Sequence, residues 1–371
     1  MMKKRLLAVI LCLCLAALPL PCMAEDGEQP DVALTNLVEG WPQMDEIQEA
    51  TGFVVDVDSG GILYSLNRDA IRYPASITKI LTALLVLENC DLTDKVVMTY
   101  TGTQMVISGS TNAQTVEGEE FTVEQCLYML LLKSANDIAN QLAEYAGGTM
   151  EHFVEMMNER AEELGCRNTH LTNPSGMPDT EHYTTAVDLA LIMEECIKNE
   201  TFLKIAATEA VTIPPTNKTS ESRTYTNHNA LVVTGSDYYY APCIAGKTGY
   251  TDSAWRTYIS AARKDGRTLI CVLLRGPDKS DFVDAAKLFE YGFNEFERIE
   301  VPGGYVTLPR GKTLDDVTVE TASGEAEAES ETAQSDASAE SGAAEAEAGA
   351  AEDEPAPVEY YYNGLLVGHG K

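Results

Sequence analysis

Residues 73–85 run YPASITKILTALL. Ile77, Ile80, Leu81, Leu84 and Leu85 fall at i, i+3, i+4, i+7 and i+8. That is the apolar stripe of a buried helix, starting at about Ser76. Positions three apart share a helix face, so the Ser76 hydroxyl and the Lys79 amine can meet. Ser76 also sits at the positive helix end. A serine becomes a nucleophile when a neighbouring base takes its proton. A lysine serves as that base once burial and a second cation depress its pKa. Taken by itself, Ser-x-x-Lys is a weak signal, because chance supplies such a match in a chain this long.

Working outward, Phe53-Val54-Val55-Asp56-Val57 reads as a strand, Asp58-Ser59-Gly60-Gly61 as a turn, and 62–66 as a second strand. On the other side, 122–199 is mostly helical in pattern, with apolar residues recurring every three or four positions. Beyond residue 212 the texture changes. Residues 244–246, 257–262 and 268–274 read as strands, the last two joined by Lys264-Asp265-Gly266, and a final helix is expected over about 282–293. Strands thus lie at both ends with helices inserted between them. The simplest packing is an α+β fold: one antiparallel sheet built from both ends, flanked by helices, with an all-helical lobe alongside. A cleft between the two is where sites tend to form.

The termini carry different information. Lys3, Lys4 and Arg5 precede an apolar run at 6–20, and Cys22-Met23-Ala24 offers a small-residue cleavage site. This predicts a secretory signal peptide over 1–24 and an exported protein. No membrane anchoring is evident beyond it. Residues 25–50 read as a polar leader without firm periodicity. Residues 301–319 read as the start of a small β module. Residues 322–357 are Ala/Glu/Ser/Gly low complexity, expected to be a disordered acidic insertion within that module. A hairpin with an Asn363-Gly364 turn follows over 359–367.

The 371 residues carry a net charge of −32, which argues against nucleic acid or anionic lipid as a partner. The charge is uneven: 325–354 holds eleven carboxylates and no lysine or arginine. Three of the nine cysteines lie in the signal region. The other six, Cys90, Cys126, Cys166, Cys196, Cys243 and Cys271, read as buried small hydrophobes. No CxxC, Cys/His spacing or HExxH is present, so neither metal nor cofactor is expected. His152, His170, His182, His228 and His369 show no nucleophile context and read as surface or cap residues.

Two further motifs follow Ser76-Ile77-Thr78-Lys79 in order. Ser134-Ala135-Asn136 comes just after an apolar helix and offers a hydroxyl for proton relay and an amide to bind a carbonyl. Alone it is equally a helix cap. Lys247-Thr248-Gly249 ends a predicted strand. There a glycine permits close backbone approach to a ligand, and the lysine supplies a second cation. The ordered trio, in these structural contexts, resembles the penicillin-binding proteins and serine β-lactamases.

Longer stretches narrow the resemblance. Residues 51–89, 131–139 (LLKSANDIA), 168–190 (NTHLTNPSGMPDTEHYTTAVDLA) and 245–252 (AGKTGYTD) look like the serine D-Ala-D-Ala carboxypeptidases, low-molecular-weight penicillin-binding proteins. The resemblance covers about 50–300. It implies a β-lactamase/transpeptidase-like catalytic domain over 51–300 and a small C-terminal β domain over 301–371. It implies peptidoglycan stem peptides as substrates, β-lactam antibiotics as inhibitors, and a location outside the cell or on the wall side of the cytoplasmic membrane. Ser76 would attack the carbonyl between two D-alanines and form an acyl-enzyme, with Lys79 as general base. Ser134 and Lys247 would pass the proton to the leaving D-alanine, and Asn136 would hold the acyl-side amide. Lys247 and Thr248 would receive the terminal carboxylate beside Gly249. The backbone N–H groups of Ser76 and Tyr250 would form the oxyanion hole.

One position departs from the family. Some members carry an arginine that assists carboxylate binding where this chain has Asp281; Arg256, Arg275 and Lys279 are the candidate replacements. Competing readings share the machinery. A D,D-endopeptidase cutting cross-links is the main alternative. A β-lactamase needs a deacylating Glu-x-x-x-Asn loop, and no convincing one follows Ser134-Ala135-Asn136. A non-catalytic wall-binding protein would be expected to lose Ser76, Lys79 or Lys247, and all three are present.

Overall fold

The computed structural model describes residues 33–321 and 357–370. The expected signal peptide, the leader before residue 33 and the acidic insertion up to residue 356 lie outside them. The first strands are β1 (Thr51–Asp56) and β2 (Ile62–Leu66), an antiparallel hairpin. A 3-10 turn (Ala75–Thr78) leads into α1 (Lys79–Asn89). The sequence stripe is therefore helical, but its first turn is wound more tightly than expected. Every residue of α1 from Lys79 to Val86 is buried, so α1 is a core helix rather than an amphipathic one.

A lobe rich in helices follows. It contains β3 (Lys95–Val97), α2 (Tyr100–Gln104), β4 (Glu120–Thr122), α3 (Val123–Leu132), α4 (Asn136–Gly147) and α5 (Met150–Glu163). It closes with α6 (Ala186–Cys196), α7 (Glu200–Ala206), β5 (Ala210–Ile213) and β6 (Arg223–Thr226). Side chains at several N-termini satisfy backbone N–H groups that the helix leaves free. Thr122 and Gln125 form a capping box on α3, and Thr149, Thr185 and Asn199 cap α5, α6 and α7.

Three long strands, β7 (Cys243–Thr251), β8 (Trp255–Lys264) and β9 (Arg267–Gly276), then return to the hairpin. The sheet order is β2-β1-β9-β8-β7, antiparallel throughout, so both ends of the domain build one sheet as expected. Leu269 to Leu274 on β9 are all fully buried. Successive strand residues face opposite sides, so this sheet is covered on both faces. Helix α6 and the last helix, α8 (Ser280–Asn294), both pack on β9. Strand β7 is the outer strand, and the 3-10 turn bearing Ser76 packs against it.

A second antiparallel sheet has β10 (Phe296–Val301), β11 (Gly304–Pro309), β12 (Thr318–Thr321), β13 (Val358–Tyr362) and β14 (Leu365–Gly370) in the order β10-β11-β14-β13-β12. Its first strand begins at Phe296, a few residues earlier than the sequence pattern suggests. Asn363 (φ 48°) and Gly364 (φ 81°) both take positive φ, the geometry a tight two-residue hairpin needs. The two sheets are tied by a buried network. Arg267 Nε lies 3.0 Å from Asp56 Oδ2, Thr307 Oγ1 donates to the same oxygen at 3.2 Å, and Ser59 Oγ lies 2.8 Å from Thr307 Oγ1.

Residues 33–50, read as a polar leader, do lack regular structure apart from one 3-10 turn (Leu34–Leu37). They nevertheless pack closely. Trp41 is 3% exposed, donates its indole N–H to the Leu63 carbonyl at 3.0 Å, and contacts the rings of Phe296 and Tyr362. The six cysteines outside the signal region are free thiols, four of them buried and two half-buried.

Candidate active site

Ser76 lies in the 3-10 turn and Lys79 opens α1, and the spacing of three brings them together. Lys79 Nζ is 3.0 Å from Ser76 Oγ and donates to the Ser175 carbonyl at 2.5 Å. Lys79 is fully buried. Burial, helped by the positive charge of Lys247, holds its pKa well below the ordinary lysine value, and Asp137 opposes the shift. Desolvation disfavours the charged amine most, so burial shifts Lys79 towards its neutral form.

Lys247 is 1% exposed and donates to the Thr248 carbonyl at 2.7 Å. Burial, with Arg256 nearby, lowers its pKa to about 7. Gly249 lies against the turn that carries Ser76. A Cβ there would come within 2.9 Å of the Ser76 backbone nitrogen and 2.4 Å of Thr257 Oγ1. The glycine therefore lets β7 approach the turn, whereas the sequence motif suggested close approach to a ligand. Thr257 fixes the same contact from β8 by donating to the Pro74 carbonyl at 2.8 Å. Thr248 is buried, whereas Tyr250 is 58% exposed and its hydroxyl reaches only Asp252, at 3.2 Å.

Ser134 and Asn136 come from the α3–α4 junction. Ser134 takes φ 62°, which turns the chain between the two helices. Both residues are buried. Ser134 Oγ and Asn136 Oδ1 have no hydrogen-bond partner among the described residues. Buried polar atoms are rarely left so, and these two suit a ligand that completes them. The Asn136 amide nitrogen lies 3.4 Å from Met177 Sδ. Ser134 makes no hydrogen bond to either lysine.

The position where an arginine was expected to be missing is occupied by an ion pair. Arg256 Nη2 lies 2.8 Å from Asp281 Oδ2, with Asp281 almost fully buried and the arginine partly exposed. Arg256 also contributes to lowering the pKa values of Lys247 and His228, so its charge is felt at the lysine end of the site.

Sequence reasoning missed His182. Expected at the surface or at a cap, it is 2% exposed, with Nε2 2.9 Å from Thr78 Oγ1. It also passed over the Ser175 carbonyl that holds Lys79. The only signal was turn chemistry in Asn173-Pro174-Ser175-Gly176, which says nothing of what a backbone carbonyl will contact.

No helix among the described residues is long and apolar enough to cross a membrane. Residues 39–278 match the family described as D-alanyl-D-alanine carboxypeptidase. The chain is 35% identical over 250 residues to D-alanyl-D-alanine carboxypeptidase DacB2 of Mycobacterium tuberculosis, covering 66% of this chain and 81% of that protein. It is 30% identical over 290 residues to D-alanyl-D-alanine carboxypeptidase DacF of Bacillus subtilis, covering 73% of this chain and 72% of that one. A crystal structure of a Mycobacterium tuberculosis D-alanyl-D-alanine carboxypeptidase superposes with a TM-score of 0.62 at 32% identity, over 69% of this chain and 95% of that one. A Streptomyces DD-transpeptidase superposes with a TM-score of 0.63 at 30% identity, over 68% and 99%. A serine hydroxyl paired with a buried lysine on this fold, with those relatives, identifies the chain as a member of the serine-type D-alanyl-D-alanine carboxypeptidase family.

Proposed function

We propose that this enzyme removes the terminal D-alanine from peptidoglycan stem pentapeptides through an acyl-enzyme on Ser76, outside the cytoplasm. The observation that carries the proposal is the buried Lys79 amine, 3.0 Å from Ser76 Oγ and held towards its neutral form. The Ser76 hydroxyl gives its proton to Lys79 Nζ as Oγ attacks the carbonyl between the two D-alanines. The backbone N–H groups of Ser76 and Tyr250 take the oxyanion. As the C–N bond breaks, a proton passes through Ser134 and Lys247 to the leaving amine, and D-alanine departs. Water, deprotonated at Lys79, then cleaves the Ser76 ester and regenerates the hydroxyl.

Asn136 holds the acyl-side amide, which would complete its free Oδ1. The terminal carboxylate is received by Lys247, Thr248 and Arg256. Arg256 is the best placed of the three candidate cations, because buried Asp281 anchors it and its charge reaches Lys247. Penicillin carries a carboxylate in a comparable position and should acylate Ser76 as well. The signal-like residues 1–24 support export.

The test incubates purified protein separately with diacetyl-Lys-D-Ala-D-Ala, its C-terminal amide and penicillin. Mass spectrometry then locates any covalent adduct. D-alanine release from the free acid but not the amide, with slow penicillin turnover from an adduct on Ser76, supports the reading. Fast penicillin turnover without D-alanine release would make it a β-lactamase. Cleavage of cross-linked muropeptides alone would make it an endopeptidase.

A further inference from the structure

Ala75, the residue before the nucleophile, takes φ 51°, a left-handed conformation that a residue with a Cβ adopts reluctantly. Such backbone persists only where its surroundings over-determine it. Here the constraint acts on the Ala75 carbonyl. Thr78 Oγ1 donates to it at 2.9 Å. Gly176, at φ 78°, passes so close that a Cβ would fall 1.8 Å from the same oxygen.

The hydroxyl of Thr78 has one proton, and that proton goes to Ala75. Its remaining partner, His182 Nε2 at 2.9 Å, must therefore donate. At the other side of the ring, the Thr172 backbone N–H donates to His182 Nδ1 at 3.0 Å. A backbone amide can only donate, so Nδ1 is bare and the single ring proton is on Nε2. The direction of every bond is thus fixed: Thr172 N–H to His182, His182 to Thr78, Thr78 to the Ala75 carbonyl. Only a neutral imidazole fits, and burial pushes the His182 pKa down to about 4. Asp179, His170 and Lys79 are the charged or titratable groups whose fields it feels.

Thr172 also opens the loop that grips the base. The Asn173 side-chain oxygen accepts from the backbone N–H groups of Ser175, Gly176 and Met177 and from the Ser175 hydroxyl. That loop presents the Ser175 carbonyl to Lys79 Nζ at 2.5 Å and the Pro174 carbonyl to Thr82 Oγ1 at 2.7 Å. His182 is therefore joined to the nucleophile through Thr78 and Ala75, and to the base through Thr172 and Ser175.

We propose that His182 is a positioning residue for acylation: its hydrogen-bond chain fixes the Ser76 turn and the Lys79-holding loop relative to each other. It touches no substrate. The proposal rests on the acyl-enzyme reading above.

The test compares His182→Phe, His182→Gln, Thr78→Val and the double variant His182→Phe/Thr78→Val. A fluorescent penicillin reports acylation, and D-alanine release reports turnover. Misplacing a reacting group by about 1 Å can cost about 10²-fold, so His182→Phe should lose about that factor in acylation and kcat while KM changes little. Glutamine offers an acceptor oxygen and a donor nitrogen, in place of the neutral ring's acceptor and donor nitrogens, and should recover most of the rate. Thr78→Val breaks the same chain at the next link and should lose a similar factor. The double variant should be no slower than the worse single one, because all act on one chain; unrelated structural damage would add instead. Acylation within threefold of wild type in folded His182→Phe would overturn the proposal. So would wild-type acylation in Thr78→Val, a readout that stands even where the phenylalanine variant fails to fold. If wild-type protein takes no label at Ser76, the acyl-enzyme reading itself fails, whatever the variants do.

Discussion

Replacing Lys79 with methionine separates its chemical role from its packing role. Methionine is unbranched, of similar length and apolar, so it fills a fully buried site without leaving a large void. The amine, however, is gone from its place 3.0 Å from Ser76 Oγ. General-base catalysis is typically worth 10²–10⁴-fold, or about 2.7–5.4 kcal/mol of barrier. Acylation by a fluorescent penicillin, followed by stopped flow, should fall by that factor. Stability should change far less, because two effects oppose each other. The Ser175 carbonyl loses its donor, which costs about 1–3 kcal/mol. Against this, a lysine whose folded pKa lies below its unfolded value destabilises the fold at neutral pH, and methionine removes that penalty. The pH profile supplies the second readout. Wild-type acylation should rise with pH as Lys79 loses its proton, along a limb lying well below 10.5. The variant should show no limb assignable to this group. Acylation within tenfold of wild type at pH 8, or an unchanged acid limb in folded variant, would refute Lys79 as the base.

Lys247 titrates at about 7 when folded against 10.5 when free, so between these values the unfolded chain binds more protons there and its contribution to stability rises with pH. Lys247→Met should thus hold its largest stability advantage over wild type near neutrality, and lose it by up to about 1.4 kcal/mol per pH unit on the way up; urea unfolding at three pH values between 7.5 and 9.5 would show a constant gap if this is wrong. Gly249→Ala should slow acylation by about tenfold or more, since its Cβ would meet Thr257 Oγ1 at 2.4 Å and the Ser76 backbone nitrogen, a proposed oxyanion donor, at 2.9 Å; an unchanged rate constant in folded variant would place the oxyanion elsewhere. Thr321 and Val358 are cross-strand partners, so replacing residues 322–357 with Asn-Gly should close a short hairpin and leave kcat/KM within twofold on a soluble D-Ala-D-Ala peptide; a large loss would tie those residues to the site.

What the sequence revealed and what it hid follow from the range of each interaction. Ser76 and Lys79 were legible because a spacing of three on a helical turn is itself a contact. Lys247-Thr248-Gly249 was legible only as the third member of an ordered trio, since alone it reads as a polar strand end; the structure places it inside β7 rather than at its end. His182 was not, since its partner Thr78 lies 104 residues away and nothing about an isolated histidine reports that. The Ser175 contact is made by a carbonyl, which every residue possesses. Ala75 hid its left-handed backbone behind a side chain that normally avoids it. The packing of 33–50 was invisible because Trp41 and Ala33 are buried one at a time, with no period for a pattern to expose.

The network around Asp56 bears on how the molecule behaves as a mechanical object. Asp56 on β1 is fully buried, and its partners sit on β9 and β11. Removing Arg267 would leave the buried Asp56 carboxylate without its cation, which typically costs about 3–5 kcal/mol. The second sheet is therefore not a pendant on a swivel: torque applied to it passes through β1 and β9 into the strands that carry Lys247 and face Ser76. Whatever grips that sheet also constrains the orientation of the sheet that carries Lys247.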